Sequence, residues 1–448
     1  QFESLAELSM DPQAVLHEYP VILSTAFSSR STLSTETTFD YLIMDEASQV
    51  SIETGVLALT CAHQAVIVGD TLQLPHVVTG EDREKLAAIA AAHHIPERYD
   101  CARSSFLQSV CESLPQAPQT LLREHYRCHP SIINFCNQKF YGGNLLIMTD
   151  TPDEPHTMWA IRTNAGHHSR GHYNQREIDV IREEVLPQVT DRTDVGIITP
   201  YRAQAEELQK QLPGIETATV HKFQGREKDT IIMSVTDDLI TEFSDNPNLL
   251  NVAVSRAKKQ FCIVLSGNKQ KLERNISDLV SYIDYHNFTV TESKVHSIFD
   301  YLYEQYTRQR MAFLKRHDKV SAYDSENLTY GLLQDILRRH AEFSYLTVVC
   351  HVPLRDIIRD TSLMDDAERE YAKKWSTHVD FLLVNRASKQ PELVVETDGY
   401  AFHREKSAQH RRDQMKDHIF ASYRIPVLRL STVGSGEEEK IIEALRNL

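Results

Sequence analysis

Acidic and amide side chains follow two short apolar runs near the beginning of the chain. Asp45 and Glu46 come directly after FDYLIM, while Asp70 and Gln73 come at the end of AVIVGD and just beyond it. A carboxylate at a strand end can hold Mg²⁺ through its water shell, and an adjacent carboxylate can orient or deprotonate a water that attacks a phosphoryl group. The two segments therefore predict part of a magnesium-dependent nucleotide site.

The elements that must position these side chains are short apolar runs separated by amphipathic segments. The runs are typical of strands buried on both faces of a parallel sheet. They cover residues 20–26, 39–45, 65–70, 195–200, 229–235 and 260–267. The stretch YRAQAEELQKQL (201–212) has helical spacing, so the pattern indicates an α/β fold. The candidate residues stand at the carboxyl ends of strands, where open parallel sheets bind ligands.

Six motifs occur in a fixed order through this region. They are YLIMDEASQ (41–49), VGDTLQLP (68–75), HYRCHP (125–130), ITPYRAQ (198–204), TVHKFQGREKDTII (219–232) and NVAVSRAK (251–258). Together they resemble the later motifs of a superfamily 1 helicase, in the subgroup whose Walker B box reads DEAxQ. The resemblance covers roughly residues 20–270. It implies two RecA-like parallel-sheet domains, the first of them incomplete, at residues 1–122 and 123–268.

The resemblance also implies roles for single residues in binding ATP and Mg²⁺. Asp45 is the expected magnesium ligand, Glu46 the residue that activates water, and Gln73 a sensor of the γ-phosphate. Arg127 and Arg256 resemble arginine fingers, which neutralise charge that builds up in the transition state. The remaining nucleotide-binding candidates are Gln49, Asp70, Tyr126 on the adenine, Gly225, and Glu227 on the ribose.

Single-stranded nucleic acid is the partner that the resemblance implies. In this class the strand runs near sequences that match ITPYR and TVHKF here, which makes Thr199, Tyr201, Thr219 and Lys222 the candidate contacts. An alternative for two of them is structural, with Thr199 capping the next helix and Tyr201 packing in the core. The subgroup contains motors for DNA and for RNA, and DNA is the favoured partner, single-stranded or partly duplex.

The phosphate-cradling loop GxxxxGK(S/T) does not occur in the 448 residues. A RecA-like sheet that starts near residue 20 would lack its central first strand and would leave apolar strand faces uncovered. We therefore expect an upstream segment of the same polypeptide to carry the loop. The alternative is a relic of a motor that binds nucleic acid without hydrolysing ATP.

Composition sets broader limits. The chain has 448 residues, which suits about three domains, and a net charge of −15 that opposes a globally basic surface. Its seven cysteines form no CxxC pair, and we expect reduced thiols in a cytoplasmic protein. No apolar run approaches the roughly 20 residues that span a bilayer, so no membrane partner is expected. HHSRGH (167–172) lacks further ligand residues at metal-binding spacing and predicts a solvated loop.

Residues 269–320 predict a helical connector. Residues 321–448 carry a second group of candidate catalytic residues. Here a helix (325–340) precedes a strand (347–354), two adjacent strands (379–385 and 392–403), a basic helix (405–421) and a last strand (425–431). Asp380 and Glu396 fall on the adjacent strands, and Asp398 shares a face with Glu396. Carboxylates that converge in this way can bind Mg²⁺ or Mn²⁺ and activate water against a phosphodiester.

The run ETDGYAFH (396–403) makes this region resemble the PD-(D/E)XK nuclease fold, in the branch similar to very-short-patch-repair endonucleases. The resemblance implies a restriction-endonuclease-like α/β domain with Asp380 and Glu396 as metal ligands. Asp398, His403 and Glu326 are supporting candidates. Asp398 occupies the position of the nuclease lysine, so a basic group must come from elsewhere: the candidates are Lys406, Arg411, Arg412 and Lys416. Alternatively the domain only grips DNA.

Two functions of different class follow. The first is an ATP-dependent translocase or helicase with a metal-dependent nuclease at its end, acting in DNA repair or in defence against foreign DNA. The second is a nucleic-acid binding module in which one or both catalytic centres are inactive.

Overall fold

The computed structural model describes residues 11–152, 156–189, 191–399 and 408–448. His403 and Lys406 lie outside these residues, as does the side chain of Arg411. The chain divides into two compact units. The first unit comprises residues 1–153, 220–227 and 242–259, and the second comprises residues 154–219, 228–241 and 260–448.

The secondary structure is a mixture of helices and strands along the whole chain. The helices are α1 Pro12–Glu18, α2 Ile52–Leu59, α3 Gly80–Ala92, α4 Phe106–Ser113, α5 Pro130–Lys139, α6 Gln175–Val180, α7 Arg202–Gln211, α8 Val220–Phe223, α9 Pro247–Ser255, α10 Asn275–Tyr285, α11 Thr307–Leu314, α12 Asp324–Arg339, α13 Leu354–Ile357, α14 Asp366–Lys373, α15 Ala408–Ser422 and α16 Glu437–Arg446. The strands are β1 Phe39–Met44, β2 Ala62–Ile67, β3 Glu124–His125, β4 Leu146–Ile147, β5 Met158–Arg162, β6 Val195–Thr199, β7 Glu216–Thr219, β8 Lys228–Ser234, β9 Ala257–Leu265, β10 Thr289–Glu292, β11 Leu346–Pro353, β12 His378–Asn385, β13 Pro391–Asp398 and β14 Val427–Ser431.

The first unit contains a parallel pair of strands, β1 and β2. Two sequence-based expectations fail here. Residues 20–26, predicted to be a buried strand, form no strand, and Leu23 is 91% exposed. The strands β1 and β2 were predicted to be buried on both faces, yet Ile43 is 71% and Val66 49% exposed. Within the described residues no further strand pairs with β1 and β2. The core cluster of this unit includes Met44 and Ala47 but neither Ile43 nor Val66.

The second unit contains a six-stranded sheet in the order β10-β5-β9-β8-β6-β7. The pairs β10/β5, β5/β9, β6/β8 and β6/β7 are parallel, which confirms the predicted α/β fold with RecA-like parallel-sheet architecture. Apolar residues bury both faces of the middle strands, and Trp159, Ile197, Ile232 and Val264 share one core cluster. The segment predicted as a purely helical connector contributes β10, which the sequence analysis missed because the strand is short and half polar.

The carboxyl-terminal part of the second unit has a four-stranded mixed sheet in the order β11-β12-β13-β14. The first two pairings are antiparallel and the pairing of β13 with β14 is parallel. One apolar layer packs α12 and α16 on Phe381 and Val395, and the other packs α15 on Leu382 and Val394. The predicted helices and strands occur in the predicted order, but the structure adds α13, α14 and α16. The strand predicted over 392–403 ends at Asp398, and α15 extends to Ser422.

A buried ion pair joins parts of the second unit that are distant in sequence. The Arg176 guanidinium on α6 donates to both carboxylate oxygens of Asp300, at 3.0 and 2.9 Å, and the two side chains are 1% and 7% exposed. The same guanidinium donates to the Gly434 carbonyl at 3.3 Å. Asp300 also closes a capping box with Ser297. The helix beside the six-stranded sheet is therefore tied to the segments around residues 300 and 434.

All seven cysteines are free thiols. In the part of the chain that the structure describes, every helix is too short or too polar to traverse a lipid bilayer.

The Arg176–Asp300 pair predicts a large effect on stability. Replacing Asp300 by Asn keeps the side-chain shape but leaves a buried guanidinium without a counter-ion, which should lower the free energy of unfolding by about 3–5 kcal/mol. Urea unfolding followed by circular dichroism measures this change. Glu292→Gln is the matched control, since its ion pair with Arg162 is exposed and should be worth less than about 1 kcal/mol. Equal losses in the two variants would contradict the structural importance of the buried pair.

Candidate functional site

The acidic turn after β1 is held by backbone hydrogen bonds to the end of β2. Val68 N donates to the Met44 carbonyl at 2.8 Å, and Ala47 N donates to the Val68 carbonyl at 2.9 Å. Gly69 is needed here, because a Cβ atom would lie 3.1 Å from Ala47 N and 2.9 Å from a Leu107 methyl carbon. The acidic pair and the VGDTLQLP segment are thus fixed side by side.

Within this turn the candidate residues contact one another. Glu46 has a left-handed backbone, with φ of 51°, and its amide donates to Asp45 Oδ1 at 2.8 Å. Gln49 Nε2 donates to Glu46 Oε2 at 3.1 Å. Asp45 is exposed, whereas Glu46 and Gln49 are half-buried. The arrangement leaves the Asp45 carboxylate accessible to a hydrated cation and orients that of Glu46.

A second group of contacts surrounds Asp70. Its Oδ2 atom accepts hydrogen bonds from Gln73 Nε2 at 3.2 Å and from the Tyr141 hydroxyl at 2.6 Å. Asn251 Nδ2, on α9, donates to that hydroxyl at 2.8 Å and to the Leu72 carbonyl at 2.9 Å. Sequence reasoning missed Tyr141, because it lies outside every motif. Asn251 is the first residue of the motif NVAVSRAK. Its place in a motif is the signal from which sequence reasoning could have identified it as a site residue.

Arg256 follows directly after α9 and reaches the same segment. Its Nη2 atom donates to Gln73 Oε1 at 3.1 Å, and its Nη1 atom donates to the Arg226 carbonyl at 3.4 Å. The side chain is only 4% exposed, and burial followed by the charge of Arg127 lowers its pKa. The charge of Glu46 acts on this pKa in the opposite direction.

The other nucleotide-site candidates of the first unit are more open. Arg127 Nε lies 3.3 Å from Glu227 Oε2, and the two side chains are 39% and 46% exposed. Tyr126 is 65% exposed, and its hydroxyl donates to Glu124, which leaves the ring face accessible. Gly225 has φ of 79°, a conformation that favours glycine. Asp45, Glu46, Asp70, Gln73, Arg127, Glu227 and Arg256 all belong to the same compact unit.

The first unit fits the phosphate groups of a nucleotide by its donor set. Arg256 Nε is buried and has no hydrogen-bond partner among the described residues. Arg127 and Arg256 are close enough for their charges to oppose each other, and an anion between them would relieve that repulsion. The exposed Asp45 carboxylate offers hard oxygen ligands suited to Mg²⁺.

The nucleic-acid candidates have different surroundings. Thr199 is fully buried, and its hydroxyl bonds Thr236 Oγ1 at 3.0 Å. Tyr201 is 9% exposed and precedes α7 as its N-cap residue. The packing expected for Tyr201 in the structural alternative agrees with this burial. Thr199 does not cap the helix, because Tyr201 is the N-cap residue of α7 and, among the residues described, no side chain caps it. Only the backbone groups of the two residues and the edge of the tyrosine ring remain for a ligand. Thr219 ends β7 and is half-buried, while Lys222 on α8 is exposed.

A buried polar network lies behind Thr199 in the second unit. The Glu177 carboxylate is fully buried and accepts hydrogen bonds from Ser234 Oγ at 2.6 Å and from Thr236 N at 2.9 Å. Gln204 Nε2 donates to Ser234 Oγ at 3.0 Å and to the Asn174 carbonyl at 3.2 Å. Gln204 stands in the motif ITPYRAQ, but sequence reasoning gave it no role. Burial raises the pKa of Glu177 to about 8.

The carboxyl-terminal candidates converge on the α15 side of the mixed sheet. Glu396 is 5% exposed, and Lys416 Nζ donates to its Oε1 atom at 2.8 Å. Burial, and next the charge of Asp380, raise the pKa of Glu396 to about 7, whereas Lys416 opposes this shift. Asp380 Oδ2 accepts a hydrogen bond from Thr397 N at 2.8 Å. Of the two basic candidates whose side chains the structure describes, Arg412 and Lys416, it is Lys416 that bonds Glu396.

In the described ranges, the supporting candidates Asp398 and Glu326 pair with basic side chains and not with Asp380 or Glu396. Asp398 lies 3.3 Å from Arg429 Nη1 in an ion pair. Glu326 lies on α12, which packs on the opposite face of the sheet, and is 3.7 Å from His351 Nε2. Among the described residues no three acidic, histidine or cysteine side chains form a group suited to a metal ion. The sequence-predicted metal ligands here therefore reduce to two carboxylates, Asp380 and Glu396, and Lys416 already pairs with the second of them.

The loop that contains residues 167–172 is more ordered than the predicted solvated loop. The amides of His168 and Ser169 donate to Asp238 Oδ1 at 2.9 and 3.0 Å. His168 is 6% exposed, and burial lowers its pKa to about 4. The prediction was wrong for His168 because Asp238 and Tyr303, which are far away in sequence, bind the loop.

Comparisons with known proteins give three family matches. Two families described as AAA domains match residues 3–81 and 102–269. A third family, described as a protein of unknown function (DUF2726), matches residues 319–448. These AAA matches support the resemblance to superfamily 1 helicases.

Two curated relatives match a large part of the chain. One is the DNA replication ATP-dependent helicase/nuclease JHS1 of Arabidopsis thaliana, 28% identical over 302 residues, which is 59% of this chain and 21% of that protein. The other is the DNA replication ATP-dependent helicase/nuclease dna2 of Schizosaccharomyces pombe, 27% identical over 350 residues, which is 67% of this chain and 23% of that protein. The chain thus spans less than a quarter of either relative. Among solved structures, a PRRSV helicase has a TM-score of 0.29 at 18% identity and covers 51% of this chain and 35% of its own.

The buried Glu177 predicts a pH-dependent stability. Its folded-state pKa of about 8 lies above the ordinary value of 4.5, so the folded state holds a proton that the unfolded state loses first as the pH rises. The stabilisation is complete below about pH 4.5 and declines by about 1.4 kcal/mol per pH unit until pH 8. Glu177→Gln, which mimics the protonated acid, should flatten this decline in urea unfolding measured from pH 5 to 8.

Glu206→Gln is the matched control for Glu177, because Glu206 is 56% exposed and pairs with Arg202 on the surface of α7. This variant should keep the wild-type slope. A Glu177→Gln protein that keeps the full slope would show that another group carries the pH dependence.

Proposed function

We propose that this chain works as part of an ATP-dependent DNA translocase or helicase that carries a metal-dependent nuclease at residues 321–448. The observation that supports the motor most directly is the contact of Arg256 with Gln73, which joins the last helicase motif to the VGDTLQLP motif. Motifs that are collinear in the sequence thereby meet in one compact unit.

In the proposed hydrolysis, bound Mg²⁺ supplies positive charge to the phosphate oxygens. Asp45 would hold the hydrated ion, and Glu46 would orient the attacking water, with its carboxylate steadied by Gln49. Arg127 and Arg256 would donate to the phosphate oxygens on which negative charge builds up. Gln73 bonds both Asp70 and Arg256, so it would transmit the presence of the phosphate to both neighbours.

The phosphate-cradling loop is a component that residues 1–448 do not contain. We propose that the loop comes from another segment of the same polypeptide. Hydrolysis is therefore to be measured on the full polypeptide that contains these residues.

The motor prediction concerns Glu46 and Arg256. Glu46→Gln should lower DNA-stimulated ATP hydrolysis by about 100-fold or more, because the amide cannot accept a proton from water. Arg256→Lys should lower it by roughly 1000-fold, since an ammonium cannot donate to Gln73 and to phosphate in the same planar geometry. Phosphate release measured with and without single-stranded DNA checks both values.

Arg103→Lys is the matched control for the motor, because Arg103 is a 64% exposed arginine in the same unit that pairs with Glu97. It should hydrolyse ATP at the wild-type rate. Wild-type rates in Glu46→Gln and Arg256→Lys would refute the motor assignment.

The proposed nuclease uses Asp380 and Glu396 as metal ligands and Lys416 as the basic group that stabilises the phosphate in the transition state. The burial of Lys416 against Glu396 supports this assignment. The ion pair also favours the competing function, in which Lys416 neutralises Glu396 permanently and the domain only binds DNA. In both functions the partner is DNA, and its source is foreign DNA or DNA under repair.

Nicking of supercoiled plasmid separates these two functions. With Mg²⁺ or Mn²⁺ the wild-type protein should nick the plasmid, EDTA should stop the reaction, and Asp380→Ala or Glu396→Ala should lower the rate by at least about 100-fold. Glu370→Ala is the control, because Glu370 is a 73% exposed carboxylate that pairs with Lys373. Nicking that persists in Asp380→Ala and Glu396→Ala would refute the site. Binding without nicking in the wild type would support the inactive domain.

A further inference from the structure

The loop at residues 167–172 presents a histidine ring directly over Tyr201. The rings of His172 and Tyr201 are stacked, with centroids 4.3 Å apart and an angle of 16° between their planes. His172 is exposed, whereas Tyr201 is 9% exposed. One face of the histidine ring therefore lies on Tyr201, and the exposure of the residue leaves the ring available on its solvent side.

The lower ring of this pair is fixed at its far end. The Tyr201 hydroxyl donates to Asp237 Oδ2 at 2.8 Å and lies 3.2 Å from Thr241 Oγ1. Because these hydrogen bonds fix the hydroxyl, the tyrosine ring cannot swing away when a ligand approaches. Tyr201 follows Thr199, the last residue of β6, by two positions.

The upper ring is fixed by the backbone of its loop. Arg170 N donates to the Tyr173 carbonyl at 2.7 Å, and a β-bridge pairs Ser169 with Asn174 on either side of the turn. His172 itself has φ of 63°, a left-handed conformation that a loop without internal hydrogen bonds would rarely hold. The turn therefore presents His172 in one orientation before any ligand binds.

We propose that the exposed face of His172 is a stacking platform for a base of single-stranded nucleic acid. This inference rests on the proposed function, because it places the platform beside Thr199 and Tyr201, at the carboxyl edge where the strand is expected to pass. Aromatic rings stack on every base, so the platform would bind strands with little sequence preference. Arg202 follows Tyr201 and is 82% exposed, but its charge is already paired with Glu206, so the platform is proposed on stacking alone.

The stacked pair differs from the two ordinary uses of an exposed histidine. A metal ligand would need companions, and no group suited to a metal exists among the described residues. A core histidine would be buried and hydrogen-bonded, as His168 is in the same loop. His172 stacks on a fixed aromatic ring and remains exposed, and this combination favours a ligand with a flat aromatic face.

The test replaces His172 by Asn in the full chain. Asparagine tolerates the left-handed backbone, so the turn is kept while the ring is removed. Fluorescence anisotropy with a labelled single-stranded oligothymidylate should show roughly tenfold weaker binding. His172→Phe keeps a flat ring but strains the left-handed backbone, so it should bind more weakly than the wild type and more tightly than His172→Asn. Circular dichroism melting of each variant checks that the fold is unchanged.

Two controls isolate the stacking contact. His167→Asn removes an exposed histidine of the same loop that does not stack on Tyr201, and it should bind as the wild type does. An oligomer of abasic sites should bind the wild type and His172→Asn equally, because it offers phosphates but no bases. Equal oligothymidylate binding by His172→Asn and wild type would overturn the platform and leave the proposed function intact. A wild-type chain that binds no single strand would refute the proposed function and the platform with it.

Discussion

The hydrogen bond from Arg256 to Gln73 connects positions that are 183 residues apart, and the geometry of the candidate nucleotide site depends on it. A buried guanidinium is stable only where polar or anionic groups surround it. Here the Arg256 guanidinium donates to Gln73 Oε1 and to the Arg226 carbonyl. Its buried Nε atom has no hydrogen-bond acceptor among the described residues. A phosphate would supply the missing acceptor, so the same burial that constrains Arg256 also prepares it for an anion.

The surroundings of this bond extend the constraint to the helix before Arg256. Asn248 and Asn251 on α9 donate to backbone carbonyls between Thr71 and Gln73, so the VGDTLQLP segment is held by its main chain as well as by its side chains. Tyr141 joins Asp70 to Asn251 by its hydroxyl. Asp70, Gln73, Tyr141, Asn251 and Arg256 are linked by shared hydrogen bonds. A substitution at one of these residues is therefore expected to shift the side chains of the others.

The second unit is stabilised by an apolar core around its parallel sheet and by a polar network at the edge of that sheet. Its parallel sheet is buried on both faces by apolar side chains, and the polar groups at the sheet edge are satisfied by one another, with Glu177 at their centre. Arg176, the neighbour of Glu177, carries the ion pair to Asp300. Adjacent positions of α6 therefore contribute to three features of this unit. Ile178 packs in the core of the sheet, Glu177 satisfies the polar groups at its edge, and Arg176 holds the segments around residues 300 and 434. In the mixed sheet, the Lys416–Glu396 pair likewise places one buried charge against another.

Local pattern in the sequence determined the strands β6, β8 and β9, the mixed α/β class and the four strands and two of the helices in residues 321–448, because apolar periodicity and strand ends are properties of short segments. It also determined that the candidate residues follow strand ends. The short helices α13 and α14 and the last helix, α16, were not predicted. The tertiary structure alone decided which groups meet. It placed Lys416 on Glu396 among the basic candidates with described side chains, joined Tyr141 to Asp70, buried Thr199 and His168, and left Ile43 exposed on a strand predicted to be buried. Each of these outcomes depends on contacts between segments far apart in the chain, and no local spacing encodes such contacts.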